Sequence, residues 1–319
     1  MLVITIENVR DFPAKARGAY VTVGNFDGVH RGHQRLLTRL RAKADLAGVP
    51  ALAVTFDPHP VILLRPDKAP VPLVWPAREI ELLEKAGATQ VAVFRTGPWL
   101  LELSAREFFD QVICQQLAAR GMVEGPNFAF GHDRQGDVRS LSGWCAEAAI
   151  DFELVEAAVV EDRLVSSSLI RQFVSEGQVG EATRFLGHPH RVRGTVTHGA
   201  GRGAGLGFPT VNLEGIDTLI PADGVYAALA WIDGQEPAWP AACNIGPNPT
   251  FGEHARKVEA HLIGYDGDLY GKSVELDFLE RLRGTRKFSS LDELFQQIRA
   301  DIDHTRRVLG IQMLVKGFG

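Results

Sequence analysis

Gly24-Asn25-Phe26-Asp27-Gly28-Val29-His30-Arg31-Gly32-His33 is the stretch on which the reading of this chain turns. It follows a short apolar run, Tyr20-Val21-Thr22-Val23. It precedes a helical pattern over 34–47, with Leu36, Leu37, Leu40 and Ala44 on one side and Gly48 just past its end. A strand, a glycine-bearing turn and a helix N-terminus together make an anion site, because unpaired backbone N–H groups and the helix dipole face it. Glycines at 24, 28 and 32 let the backbone turn sharply and let a ligand come close. Two imidazoles three residues apart can donate hydrogen bonds to a phosphate that gains charge during reaction. Taken alone, such a pair is more often a satisfied structural one. A second polar cluster, Thr55-Phe56-Asp57-Pro58-His59-Pro60, closes the next apolar run, Ala51 to Val54. Ligands of open α/β sheets collect where parallel strands end, so two polar clusters at strand ends point to a nucleotide.

Outward from this stretch the first half alternates strands and helices. Ala51 to Phe56 and Gln90 to Phe94 read as strands, and Arg78 to Ala86 as a helix ending at Gly87. Ser104-Ala105-Arg106-Glu107 is a capping box, with Phe108, Phe109, Val112, Ile113 and Leu117 as the apolar stripe behind it. This rhythm predicts a mostly parallel sheet with helices on both faces. It changes near residue 187, where Leu186-Gly187-His188-Pro189-His190 is rich in breakers. Beyond come short alternating strands over Arg191 to Thr197, Gly224 to Ile232, Val258 to Ile263 and Ser273 to Phe278, the pattern of a small antiparallel barrel. A capping box at Ser290-Leu291-Asp292-Glu293 opens one long closing helix.

The bulk properties fit two soluble domains. The chain has 319 residues, 45% of them hydrophobic and 23% charged. A net charge of −5 argues against a nucleic-acid partner. Cys114, Cys145 and Cys243 are too widely spaced for a metal pair and suit a reducing compartment. The N-terminus does not read as a signal peptide and no apolar run reaches membrane-spanning length, so a cytoplasmic location away from membranes is expected.

A second chemical cluster lies in the later half. Residues 199–207 carry glycine at every other position, and Phe208-Pro209-Thr210-Val211-Asn212-Leu213 follows. Such a loop is either a flexible turn or a backbone cradle for phosphates, here formed by Gly201, Gly203, Gly205 and Gly207. No Gly-Lys-Ser/Thr follows, so it is not a Walker A loop. Thr210 and Asn212 share a strand face and offer oxygen ligands suited to Mg²⁺ bridging phosphates. Residues 244–252 read as a polar, turn-rich loop. In the strand Val258-Glu259-Ala260-His261-Leu262, Glu259 and His261 face away from the apolar side. A carboxylate there is commonly just solvated, but facing a phosphate cradle it can act as general base toward an alcohol.

Together these segments resemble the bacterial bifunctional riboflavin kinase/FMN adenylyltransferase family, also called FAD synthetase. Nine motifs stand in order: residues 24–33; 55–60; Asn127-Phe128-Ala129-Phe130-Gly131; Ser166 to Arg171; 207–212; Gly224-Val225-Tyr226; Asn244-Ile245-Gly246; Pro249-Thr250-Phe251-Gly252; and Val258 to His261. The resemblance implies an α/β plus β-barrel chain. Residues 1–182 would be a Rossmann-like HxGH nucleotidyltransferase domain making FAD from FMN. Residues 188–319 would be a six-stranded antiparallel riboflavin kinase barrel with a terminal helix. It implies ATP contacts from Gly24, Asn25, Phe26, Asp27, His30, His33, Asn127, Ser166, Ser167, Ser168 and Arg171. FMN would be met by Phe56, Asp57, Pro58, His59, Phe128 and Phe130. In the barrel, Pro209, Thr210 and Asn212 would bind ATP, and Thr210 and Asn212 would hold Mg²⁺. Glu259 would be the kinase base, with Arg283 and Phe288 near the flavin. Riboflavin, FMN, FAD and ATP are then the partners. Three positions depart from the family pattern: Val211 for the usual Ala, Pro126 before Asn127, and Thr285 for an acid in Leu282-Arg283-Gly284-Thr285-Arg286-Lys287-Phe288. The alternatives are another transferase of the same superfamily, a flavin-binding regulator without catalysis, and a chain in which only the kinase works. The glycine loop with Pro209 to Asn212 speaks against the first, and the retained His30, His33 and Glu259 against the second.

Overall fold

The computed structural model describes residues 1–8, 12–198, 207–247 and 256–310. It divides into two compact units. The first comprises Met1–Pro70 and Trp75–Ser166, the second Val71–Val74 and Ser167–Gly319.

In the first unit, six strands form one sheet: β1 (Leu2–Ile6), β2 (Tyr20–Val23), β3 (Ala51–Asp57), β4 (Gln90–Arg95), β5 (Gly121–Glu124) and β8 (Asp151–Leu154), in the order β1-β4-β3-β2-β5-β8. Every pairing in it is parallel, as the β/α alternation predicts. Central strands of such a sheet are covered on both faces and therefore read as unbroken apolar runs. All four residues of β2 are buried, as are the first five of β3. Two short hairpins stand outside the sheet, β6 (Ala129–Phe130) with β7 (Gly136–Asp137) and β9 (Val159–Val160) with β10 (Arg163–Leu164). The Ser104 capping box is present, and Phe108, Phe109, Val112, Ile113 and Leu117 are all buried behind it. That helix continues as a π-helix over Phe108–Gln116 rather than as an α-helix.

The chain runs from β2 outward to β3 and β4 on one side, then returns to place β5 and β8 on the other. The order therefore reverses between β2 and β5. In open α/β sheets this reversal leaves a crevice at the carboxyl ends of the strands. The stretch 24–33 leaves β2 there, and residues 125–131 leave β5.

In the second unit a closed antiparallel barrel runs β11-β12-β15-β14-β13-β16. Its strands are β11 (His190–Thr197), β12 (Val211–Glu214), β13 (Gly224–Ile232), β14 (Gln235–Gly246), β15 (Lys257–Leu262) and β16 (Ser273–Arg283). Closure removes sheet edges, and the interior fills with alternate side chains of each strand. Val192, Val196, Leu213, Ala260, Cys243, Tyr226, Leu276 and Phe278 make that core. The helix Val179–Leu186 packs on β11 and β16, the helix Ser167–Ser175 packs on that helix, and the helix Leu291–Val308 closes the described chain. Two expectations need correcting. Asn244–Gly246 is the end of β14 rather than part of a turn-rich loop. At the Ser290 cap only half of the expected box forms: Ser290 accepts from Glu293 N–H, while the Glu293 carboxylate turns to Ser289.

Candidate active sites

The histidine turn is built by three local devices. Gly28 has φ +84° and Val29 φ +38°. A left-handed conformation is strained for a β-branched residue and persists only where its surroundings over-determine it. Here Val29 N–H donates to Phe26 C=O at 2.7 Å, and Val29 C=O accepts from Gln34 Nε2 at 2.8 Å. The helix then begins at Arg31, three residues before the position expected from the apolar pattern. His30 is its N-cap, and His30 Nδ1 accepts from His33 N–H at 3.3 Å. The polar cap carries no apolar periodicity, which is why the pattern alone put the start too late.

The two imidazoles stack with centroids 3.6 Å apart and planes 16° apart, and Phe26 meets the His33 ring edge-on at 5.2 Å. Burial pushes the His30 pKa down to about 4. Burial and the neighbouring His30 hold His33 well below the usual range. Both are therefore neutral at pH 7. The N-cap bond occupies Nδ1 of His30 as an acceptor, so its proton sits on Nε2 and is available to donate. His33 Nδ1 is withdrawn from solvent and has no hydrogen-bond partner among the described residues. Gly32 makes the stack possible, since a Cβ there would lie 3.0 Å from His30 Cε1 and 3.1 Å from Nδ1. Asn25 is exposed and Asp27 half-buried in the same turn, and Gly24 N–H ties the turn to Val54 C=O at 3.0 Å.

The second cluster ends β3 beside it. Asp57 pairs with Arg95 Nη1 at 2.5 Å, and Phe56 packs edge-on to Phe94. Thr96 Oγ1 donates to Pro58 C=O, and His59 caps the short helix Pro60–Leu64, its Nδ1 accepting from Val61 N–H at 3.1 Å. Sequence reasoning missed Glu79 here. It accepts from Thr55 Oγ1 at 2.5 Å, and burial, with the charges of Asp27 and Asp57, raises its pKa to about 7. Glu79 sits in the first turn of the helix Pro76–Lys85, where an acidic residue is ordinary, so nothing local marks it. From β5, Pro126 occupies the second position of a tight turn closed by Phe128 N–H to Gly125 C=O at 3.1 Å, a place that suits proline. The family departure therefore fits the local backbone. Asn127 is exposed at the tip, and Phe128 stacks on Phe130 at 5.2 Å, with Phe130 in the core against Phe108 and Trp144.

Ser166 ends the first unit, while Ser167, Ser168 and Arg171 lie in the second, on the helix Ser167–Ser175. Arg171 Nε donates to Val71 C=O at 3.1 Å within that unit.

On the barrel, register brings distant residues into one row. Thr197 pairs with Asn212, Asn212 with Glu259, and Glu259 with Asn244. Residues paired directly across a sheet point to the same face, and the flanking Val196, Leu213, Val258, Ala260, Cys243 and Ile245 are buried. Glu259 therefore stands on a row of polar side chains, with Asn212 on one side and Asn244 on the other. Thr197 extends the row, and its buried Oγ1 has no hydrogen-bond partner among the described residues. Thr197 was not singled out from the sequence and Asn244 stood there only as part of a motif without a role, because only the register joins them to Glu259. Thr210 precedes β12 and is exposed, and Pro209 C=O meets His261 Nδ1 at 2.8 Å. Gly207 has φ +81°, whereas Gly201, Gly203, Gly205 and the segment Pro249 to Gly252 lie outside the described residues. Arg283 grips Asp301 of the terminal helix, with Nη2 at 2.8 Å from Oδ2, and its guanidinium lies over the buried Phe288 ring at 5.6 Å. Among the described residues no group of three or more His, Cys, Asp or Glu is placed to hold a metal.

Comparison with known proteins follows the same division. A FAD synthetase family model matches residues 12–169, and a riboflavin kinase family model matches residues 186–309. A relative from Pseudomonas fluorescens, described as a bifunctional riboflavin kinase/FMN adenylyltransferase, is 36% identical over 94% of this chain and 96% of its own. The chain belongs to the bifunctional riboflavin kinase/FMN adenylyltransferase family. Members from Escherichia coli K12 and Bacillus subtilis carry the same description, each at 32% identity, over 97% and 88% of this chain and 98% and 89% of theirs. A crystal structure from Streptococcus pneumoniae, described as a macrolide-efflux protein, superposes with a TM-score of 0.85 at 31% identity, covering 96% of this chain and 99% of that one. No helix among the described residues is long and apolar enough to cross a membrane.

Proposed function

We propose that this chain phosphorylates riboflavin with ATP to give FMN and then adenylylates FMN with a second ATP to give FAD and pyrophosphate. One observation carries the reading. A single family member holds a neutral, stacked histidine pair at a sheet reversal and, separately, a carboxylate framed by two amides on a closed barrel. We assign FAD formation to residues 1–182 and the kinase to residues 188–319.

In the first reaction the ribityl 5′-hydroxyl attacks the γ-phosphorus of ATP and ADP leaves. Glu259 takes the hydroxyl proton as the new bond forms. Thr210 and Asn212 hold the phosphates beside it, with the glycine loop as cradle, and Arg283 and Phe288 lie on the flavin side. The donor set fits Mg²⁺, since Thr210, Asn212 and Asn244 offer neutral oxygens and substrate phosphates can complete the shell. When bound there, the ion neutralises charge on the transferring phosphoryl group.

In the second reaction a phosphate oxygen of FMN attacks the α-phosphorus and pyrophosphate leaves. That oxygen is already a nucleophile, so no covalent enzyme intermediate is needed. His30 and His33 donate through Nε2–H to oxygens whose charge grows in the transition state. Gly24, Asn25, Phe26, Asp27 and Asn127 line the nucleotide, and Ser166 meets its phosphates. Phe56, Asp57, Pro58, His59, Phe128 and Phe130 meet the FMN. ATP as co-substrate and the three free cysteines support a cytoplasmic location.

Incubation with riboflavin, ATP and Mg²⁺, with products separated by chromatography, tests the assignment. FMN plus FAD is expected. The His33→Ala chain should still form FMN but make FAD about 10²- to 10³-fold more slowly. Loss of both products together in that variant refutes the division of labour.

A further inference from the structure

We infer that Glu124 is a positioning residue for adenylyl transfer: its buried carboxyl group bridges the gap where β2 and β5 part and so sets the spacing of the two loops that leave them. The inference rests on the reading of the histidine turn as the nucleotide site.

The β2–β5 ladder holds only two residue pairs, Tyr20 with Gly121 and Val21 with Met122. Both strands then run on, β2 to Val23 and β5 to Glu124, without pairing. Separation at this point opens the crevice at the order reversal, but it deprives the backbone N–H of Val23 of its partner on β5. An unpaired buried N–H is costly. Glu124 Oε1 accepts from Val23 N–H at 2.8 Å, so a side chain takes the place of the missing ladder bond and reaches across the gap. The next N–H, that of Gly24, goes the other way, to Val54 C=O on β3. The root of the histidine turn is thus held from both sides. Glu124 itself is anchored, because its C=O accepts from Val155 N–H at 2.8 Å, just past β8.

A carboxyl group is an unusual choice for this place. Strand ends inside a parallel sheet are normally apolar, and Glu124 is 1% exposed. Burial raises its pKa well above the usual carboxylate range, so it stands as the neutral acid beside Thr22. A neutral acid of this length is a spacer that also accepts a hydrogen bond. Valine or leucine fills volume but leaves Val23 N–H unpaired. Val23 precedes Gly24 and Glu124 precedes Gly125, so any change in their separation moves the histidines relative to the Asn127 loop.

The test uses the full-length chain with Glu124→Gln, Glu124→Leu and Glu124→Asp, following FMN and FAD formation in parallel. Glutamine is an isostere of the neutral acid and keeps the acceptor, so FAD formation should stay within about threefold of the parent. Leucine removes the acceptor and aspartate falls short of Val23. Each should slow FAD formation by about 10²-fold, the scale of a 1 Å misplacement, with the kinase rate within twofold. A Glu124→Leu or Glu124→Asp chain that forms FAD at the parent rate overturns the inference, as does a glutamine variant as slow as the other two. If leucine prevents folding, the contrast between glutamine and aspartate decides by itself. His33→Ala run alongside separates the two ideas: full FAD synthesis in that variant removes the site reading, whatever Glu124 does.

Discussion

Replacing Gly32 by alanine separates the chemistry of the histidine turn from its stability. Gly32 lies in the first turn of the helix Arg31–Ala47, without a left-handed backbone, so alanine suits the local conformation. Removing a helical glycine stabilises by up to about 1 kcal/mol. The new methyl group, however, would lie 3.0 Å from His30 Cε1 and 3.1 Å from Nδ1. Comfortable carbon contacts begin near 3.5 Å, so the imidazole must retreat by roughly 0.5 Å. It cannot do so freely, because it is stacked on His33 and its Nδ1 holds the N-cap bond. Weakening that cap costs about 0.5–2 kcal/mol, which offsets the helix gain and leaves net stability within about 1 kcal/mol. On the proposed reading His30 donates to the α-phosphate, and a shift of this size should then lower the FAD-forming kcat by about 10- to 100-fold. Kinase turnover in the same chain supplies the internal control. Coupled assay of pyrophosphate release and of FMN formation, with urea unfolding of both proteins, reads all three quantities. A Gly32→Ala chain that folds as well as the parent and releases pyrophosphate at the parent rate would refute the argument that the His30 position governs transfer.

Other outcomes follow from the same geometry. Glu259→Gln keeps the volume and the polar row but loses the base, so riboflavin phosphorylation should fall by about 10²- to 10⁴-fold while FAD formation from supplied FMN continues. An unchanged kinase rate would remove Glu259 from the reaction. Acid should draw stability from a buried histidine in each unit, opposed in the first unit by Glu79 and Glu124, whose raised pKa values make protonation favour the folded chain. His30 and His190 are buried with pKa values lowered from 6.5 to about 4, the latter with Nε2 at 2.7 Å from Leu219 C=O. Unfolded chains take up a proton near 6.5 and the folded chain does not until about 4, so stability present at pH 7 is lost as pH falls through that window. Each histidine should withdraw about 2 kcal/mol by pH 5. His30→Asn retains a capping side chain without titrating, and should reduce the pH dependence of the urea midpoint; an identical slope would assign the acid sensitivity elsewhere.

Much of the fold was legible in the chain because it is written in periodicity. The parallel sheet followed from buried apolar runs alternating with helical stripes, and the barrel from short alternating strands after residue 187. Gly224–Ile232 was read with its observed bounds. Errors fell where polar residues take structural roles. His30 caps a helix and so hid its true start. Asn244 lies near the end of β14 on the polar row opposite the core, so its polarity read as a loop.

The residues of chemical interest were named by the sequence alone: His30, His33, Thr210, Asn212 and Glu259 sit in motifs whose composition already suits anions, metals and protons. Sequence also determined that two folding patterns share the chain. Only the tertiary structure decided how those residues act. Burial and stacking left the two histidines neutral, which spacing cannot reveal because burial is set by segments distant in the sequence. Register placed Glu259 between Asn212 and Asn244, residues 47 and 15 positions away along the chain, and set Glu124 against Val23 across the split in the sheet. The physical reason is common to all three cases. Proton affinity and orientation are set by neighbours in space, and strand pairing joins segments between which the sequence carries no local signal.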